Sequence, residues 1–346
     1  MIQTTCIGAY PKPDYLKTGN WREIEAKDDI PEFSYTNDAA SSTPREILDQ
    51  ATSEVIADQV ECGVDIPTDG EQRRENYIHY HCRHLTGIDF QNLTEKVHRN
   101  GAAVAKLPTI CGEIKPDGEH FLDADYRFAQ STTTKPVKIT IPGPLTIMDT
   151  TANQYYESEK QLAFDLATAL NFEVRALAEA GCRYIQIDEP LFARQVDKSL
   201  EFGIESLERC FHNIPDSVTR VMHMCCGYPA HLDDDNYLKA DPDSYFQLAD
   251  ALDRSPVDQI SIEDAHCLND LNLLEKYSRS SIILGSVAIA SSRLESVEEI
   301  RHRIQQALNH IDKDRLLAAP DCGLMMLDRS LAMQKLKNLC DAAHSI

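Results

Sequence analysis

In a chain of 346 residues, 56 acidic side chains oppose 34 basic ones, a formal net charge of −22. Such a surface repels nucleic acid and anionic membranes, so neither is an expected partner and a small-molecule substrate is. The eleven cysteines are too sparse for the framework of a small secreted domain, the opening Met1-Ile2-Gln3-Thr4-Thr5-Cys6 lacks a signal pattern, and no apolar run could span a bilayer, which together imply a cytoplasmic chain with reduced thiols free to bind metal.

The first strand is expected over Ile2 to Ile7, closing at Gly8-Ala9-Tyr10-Pro11, and a polar connection carrying the only tryptophan, Trp21, follows. Thr43-Pro44-Arg45-Glu46 opens a helix that can run to about Cys62 before Gly63. A short strand ends in Pro67-Thr68-Asp69-Gly70-Glu71. Tyr77 to His84 holds three histidines and Cys82, but helical geometry puts His79 and His81 on different faces, which favours an amphipathic helix over a second metal site. Residues of about 86–135, polar apart from an alternating run near Ala103 to Ile110, read as a hairpin and loop inserted between the second helix and the third strand. The third strand, Pro136 to Ile141, ends in Pro142-Gly143-Pro144-Leu145-Thr146.

Leu162, Leu166, Leu170, Val174 and Leu177 recur at helical spacing and predict a core-facing helix ending at Gly181. The fourth strand, Tyr184 to Ile187, ends in Asp188-Glu189-Pro190. Strand-like runs recur at 219–225, 258–263, 281–288 and 315–319, with helical segments near 198–212, 242–252, 268–277, 295–310 and 329–344. Eight strands alternating with helices imply an α/β fold, a single (β/α)8 TIM barrel over residues 1–346 with the 86–135 insertion inside it.

Active sites of such barrels lie at the C-terminal ends of the strands. Gly8, Glu71, Asp188, Glu189, His223, Cys225, Glu263 and Cys322 all fall there. In Val221-Met222-His223-Met224-Cys225-Cys226-Gly227, strand alternation puts His223 and Cys225 on one face and Cys226 on the other. With Glu263 and Cys322 these make a four-ligand set for Zn2+, soft enough to take a further thiol and hold it as thiolate. Glu263 is the most exchangeable ligand of the four. Asp188 and Glu71 are then free carboxylates suited to an ammonium group, and the amides of Gly8 and Ala9 suit a carboxylate.

The motifs T-T-C-I-G-A-Y-P, D-G-E-Q-R-R-E-N, P-G-P-L-T, Q-I-D-E-P, H-M-C-C, S-I-E and P-D-C-G-L occur in the order found in cobalamin-independent methionine synthases, and most of the chain resembles the C-terminal catalytic barrel of that family. The resemblance implies zinc on His223, Cys225, Glu263 and Cys322. It places the homocysteine amino group on Glu71 and Asp188 and the carboxylate on the Ile7-Gly8-Ala9 turn, where Ala9 replaces the usual serine. It also implies a homocysteine methyltransferase that makes methionine, with Asp188 and Glu263 as candidate catalytic residues.

On the donor side the chain departs from the family. Asp149-Thr150-Thr151 stands where a folate-stacking tryptophan is expected, and Ala288-Ile289-Ala290-Ser291 where a proton-transfer histidine is expected. His266, just past Glu263, is the candidate replacement acid, against the plainer reading of a loop histidine. The expected donor is therefore something other than polyglutamylated methyltetrahydrofolate: methylcobalamin, a corrinoid protein or an accessory system, with methylfolate kept as the family's default. The alternatives are zinc-dependent alkyl transfer involving another thiol such as coenzyme M, and a non-catalytic thiol- or zinc-binding relative.

Overall fold

The computed structural model describes residues 1–16, 43–98, 103–229, 231–234, 237–241 and 243–346. The expected polar connection around Trp21 lies outside the described residues.

The elements are β1 (Gln3–Thr4), α1 (Arg45–Glu61), the one-turn α2 (His79–Cys82), β2 (Ile88–His98), β3 (Ala103–Ile110), α3 (Leu122–Ser131), β4 (Lys138–Pro142), α4 (Pro144–Asp149), β5 (Ala152–Asn153), α5 (Glu159–Glu179) and β6 (Tyr184–Asp188). After short helical turns come α6 (Ile204–Cys210), β7 (Thr219–Met224), α7 (Ser244–Arg254), β8 (Gln259–Ile262), β9 (Ser281–Gly285), α8 (Val297–Ala307), β10 (Leu316–Ala319) and α9 (Arg329–His344). The segment expected to be helical near 268–277 is a 3-10 helix, Leu271–Lys276.

Seven strands form one parallel sheet in the order β1-β10-β9-β8-β7-β6-β4. The strand expected before Pro67 is reduced to two parallel bridges, Thr5 with Ile66 and Thr68 with Lys138. Main-chain bonds from Ile66 N to Thr4 O (3.0 Å) and from Lys138 N to Pro67 O (2.8 Å) join it to both edges of the sheet. This short segment fills the eighth place and curls the sheet into a TIM-type barrel, leaving neither edge open.

Strand alternation divides the core in two. Ile7, Ile66, Val221, Ile283, Leu317 and Ala319 form a cluster of their own, while Met222, Met224, Ile260, Ile262, Ile282 and Leu284 belong to the larger cluster under the helices. The stripe Leu162, Leu166, Leu170, Val174 and Leu177 of α5 is buried in that larger cluster. Ser158 caps α5 by accepting from Gln161 N, and Ser296 with Glu299 forms a capping box on α8.

The 86–135 region is not all hairpin and loop. β2 and β3 pair antiparallel, and β5 adds to β3 as a third strand that the sequence did not suggest. Leu122–Ser131 is a helix with Leu122, Tyr126 and Ala129 buried, and it packs on α5. Its apolar positions fall at i, i+4 and i+7, a helical stripe hidden in a polar setting. Lys96 of β2 donates to the carbonyls of Met148 (2.7 Å), Asp149 (3.0 Å) and Thr151 (2.9 Å), so the hairpin grips the C-terminal end of α4, where a cation is favoured. Among the described residues no helix is long and apolar enough to cross a membrane.

Candidate functional site

A pocket opens at the C-terminal ends of the barrel strands. One wall carries Ile7, Gly8, Ala9, Glu71, Asp188, His223, Cys225 and Cys322, and the rest includes Tyr77, Asp149, Thr150, Arg194, Tyr228, Ile289 and Met325. Of the expected site residues, Glu189, Glu263 and His266 are not on the lining.

His223, Cys225 and Cys322 offer donor atoms that all lie within 4.8 Å of one another. Strand β7 puts His223 two places above Val221 on the same face, and Cys225 follows directly after the strand. His223 Nδ1 pairs with Ser261 Oγ at 3.0 Å, while its buried Nε2 has no hydrogen-bond partner. The two thiols act on each other. Hydrogen bonding from Cys225, aided by the neighbouring His223, holds Cys322 well below the ordinary thiol range, and the same bond raises Cys225.

The histidines of Tyr77 to His84 are engaged elsewhere: His79 Nε2 with Thr150 O (3.0 Å) and His81 Nδ1 with Tyr77 O (2.8 Å). Among the described residues no other trio of His, Cys, Asp and Glu donors clusters tightly enough for a metal.

Glu263 is completely buried, with one carboxylate oxygen on Lys239 Nζ at 2.7 Å and the other accepting from Cys226 N at 2.9 Å. The structure therefore places it beside the trio and paired with a lysine. His266 Nε2 accepts from the main-chain N–H groups of Ile289 (3.0 Å) and Ala290 (3.1 Å), and burial, with help from Lys239, pushes its pKa down to about 4. In that state it is neutral and ties down the loop after β9.

The two pocket carboxylates are held by neighbours in the barrel. Gln186 Nε2 donates to Asp188 Oδ1 (2.7 Å) and to Ile7 O (2.6 Å), joining β6 to the end of β1. Burial raises the pKa of Asp188 to about 7, with the charge of Glu71 adding to the rise. Glu71 accepts from Thr140 Oγ1 at 2.8 Å and lies 3.4 Å from Arg74, and burial raises its pKa as well. Its φ of 56° is unusual for a side chain of this kind and stores local strain at the pocket. At Gly8 a Cβ would stand 2.7 Å from the Glu71 carboxylate, so glycine is what lets the two approach.

Glu189 has a different task. Its carboxylate accepts from Leu145 N (2.9 Å), Thr146 N (3.1 Å) and Thr146 Oγ1 (2.9 Å), anchoring the start of α4, and burial pushes its pKa up to about 8. A side chain at Gly143 would collide with that carboxylate. The motifs P-G-P-L-T and D-E-P are thus two halves of one joint.

Thr150 lines the pocket, and its hydroxyl is turned back onto Thr146 O at 2.9 Å. Arg74, Thr140, Gln186, Ser261, Lys239 and Tyr228 complete the surroundings and were not singled out from sequence. For Gln186 and Ser261 a signal existed, since each stands two residues before an expected site acid on the same strand face. Tyr228 and Lys239 come from a loop with no such periodicity.

The chain matches the family model described as "Cobalamin-independent synthase, Catalytic domain" over residues 2–345. A protein named methionine synthase from Sulfolobus acidocaldarius is 30% identical over 98% of this chain and 90% of its own length. One of the same name from Thermococcus kodakarensis is 31% identical over 98% and 91%. The solved structure of a B12-independent methionine synthase from Shewanella sp. W3-18-1 in complex with selenomethionine superposes with a TM-score of 0.85 at 27% identity, covering 100% of this chain and 97% of that one. Coverage of nearly the whole chain by the family model, joined to a pocket at the strand ends, makes this protein a member of the cobalamin-independent methionine synthase family.

Proposed function

We propose that this chain, acting as one catalytic barrel, transfers a methyl group to the thiol of homocysteine to give methionine, using zinc held by His223, Cys225 and Cys322 with Glu263 as an exchangeable fourth ligand. The observation that carries the reading is the gathering of one imidazole and two thiols within 4.8 Å on the wall of a pocket that also holds Glu71 and Asp188. The donor set suits zinc. His223 has a buried, unpartnered Nε2, its Nδ1 is fixed by Ser261, and two sulfurs complete a soft trio. Zinc bound there keeps a substrate thiol in its thiolate form at neutral pH.

Glu71 and Asp188 hold the ammonium end of the amino acid. Two carboxylates buried side by side favour a cation between them, and an approaching ammonium relieves their mutual repulsion. Main-chain N–H groups of the Ile7-Gly8-Ala9 turn receive the carboxylate end. A thiol ending in sulfonate, such as coenzyme M, finds two negative groups where it needs positive ones. The selenomethionine in the Shewanella relative, a selenium counterpart of the product proposed here, fits this assignment.

For the donor, the proposal is methylcobalamin, a corrinoid protein or an accessory system in place of polyglutamylated methylfolate. Thr150 gives a pterin no aromatic face, and the nearby His266 is neutral with Nε2 already accepting two N–H groups. An amine leaving group needs a proton, whereas cob(I)alamin leaving methylcobalamin does not. The test is methionine formation by purified, zinc-loaded protein given homocysteine with each donor separately. Transfer from methylcobalamin with little from methyltetrahydrofolate is expected; efficient turnover with methyltetrahydrofolate alone overturns the donor assignment, and no transfer to homocysteine from any donor overturns the function.

A further inference from the structure

Glu263 has a complete resting place beside the proposed metal ligands. Its side chain is fully buried, and a buried carboxylate is costly unless both oxygens are satisfied. Here Lys239 Nζ takes one oxygen at 2.7 Å, and the N–H of Cys226, the residue next to Cys225, takes the other at 2.9 Å. Lys239 comes from the loop after β7 and also donates to His266 O at 3.1 Å, so its ammonium is held from both sides. Its side chain remains about a quarter exposed.

We propose that Lys239 and the Cys226 N–H form a docking position to which the Glu263 carboxylate withdraws when a substrate thiolate takes its place among the metal ligands, so that Lys239 governs how easily that exchange occurs. The proposal rests on the zinc reading above and deepens it. Charge balances in the exchange: one carboxylate leaves, one thiolate arrives, and the thiol proton passes to solvent. Without Lys239, the displaced carboxylate would be a buried and unpaired charge, and Glu263 would stay on the metal. Lys239 is a positioning residue in this scheme, acting on substrate through Glu263.

The experiment uses the full chain loaded with Co2+ as a spectroscopic probe, titrated with homocysteine while sulfur-to-cobalt charge-transfer absorption is followed, alongside the rate of zinc loss to a chelator. In the natural protein the absorption grows as a third sulfur binds. Lys239→Met is expected to need at least about tenfold more homocysteine for the same change, the effect of losing a charge-assisted hydrogen bond, and to release zinc more slowly. Lys239→Arg should stay close to the natural protein. Lys239→Gln, which keeps a donor for His266 O without the charge, should follow the Met variant, and it stands in for it if the Met variant does not fold. An unchanged homocysteine requirement in Lys239→Gln, or faster zinc loss in it, reduces Lys239 to a loop tether and overturns the proposal while leaving the zinc reading intact. Failure of the natural protein to show any sulfur-to-cobalt band overturns both.

Discussion

The two walls of the pocket are built by different means. The wall proposed to take homocysteine, the recipient wall, comes from strand ends or the residues just after them: Gly8 beyond β1, Asp188 at the end of β6, His223 in β7, Cys225 just after it and Cys322 beyond β10. Its polar groups are fixed by neighbours in the barrel, Asp188 by Gln186, Glu71 by Thr140 and His223 by Ser261. The wall proposed to face the methyl donor, the donor wall, is assembled from the end of α4, the loop after β7 and the loop after β9, and it is held by Lys96 reaching in from the hairpin and by His266 bridging two loops. A wall made of strands changes only if the barrel changes. One made of helix ends and loops can be rebuilt separately, and the two larger departures expected from the sequence, at Thr150 and Ala290, fall on it, against the single Ala9 for serine on the recipient wall.

The largest test of this contrast is to remove a recipient-wall sulfur. Cys322→Ser should lower zinc content from about one per chain to below about a tenth and abolish transfer with every donor, because two remaining clustered donors hold zinc poorly. Metal analysis of the purified variant checks it, and full zinc occupancy with activity would remove Cys322 from the site.

A smaller effect on the same wall separates substrate from metal. Asp188→Asn and Glu71→Gln should each raise the homocysteine concentration needed about ten- to a hundredfold, the worth of one charge-assisted hydrogen bond, with zinc content unchanged. Steady-state kinetics next to metal analysis reads both quantities. Normal kinetics in both variants would point to a thiol without an amino group.

The donor wall should respond the other way round. Lys96 closes three carbonyls at the end of α4. Lys96→Met should therefore raise the KM for the methyl donor by about three- to tenfold, as a helix-end cation and its hydrogen bonds are lost, and leave homocysteine binding and zinc as they were. Equal losses toward donor and homocysteine would show that the two walls do not move independently.

The same division decides what could be read from the sequence. β6 to β10 were legible because buried parallel strands are short, mostly apolar runs, as in Ile282 to Leu284. His223, Cys225 and Cys322 were legible because strand ends converge in space in a barrel, whatever their separation along the chain. The segment 66–68 was expected as a strand, yet it keeps only the bridges that close the ring. Leu122–Ser131 was missed because three buried residues in ten make a faint stripe amid polar neighbours. Lys239 could not be found from sequence, since its pairing with Glu263 links two loops 24 residues apart with no repeat or turn signal between them.

The smallest expected effect tests the register on which the recipient wall depends. Cys225 and Cys226 are adjacent, both buried, and identical in chemistry, so only backbone direction separates them. Cys225 shares the trio with His223 and Cys322. Cys226 belongs instead to the apolar cluster beneath the helices, and it contributes its backbone N–H to Glu263. Cys226→Ala keeps that N–H and removes one buried sulfur from a packed core, which costs about 1 kcal/mol of stability by the usual price of a small cavity. Zinc content and transfer should stay within about twofold of the natural protein, with a lowered urea midpoint as the visible change. Cys225→Ala should lose zinc and activity together. If the two variants exchange these phenotypes, a one-residue slip at the end of β7 has put the other sulfur in the pocket, and the recipient wall must be redrawn around Cys226.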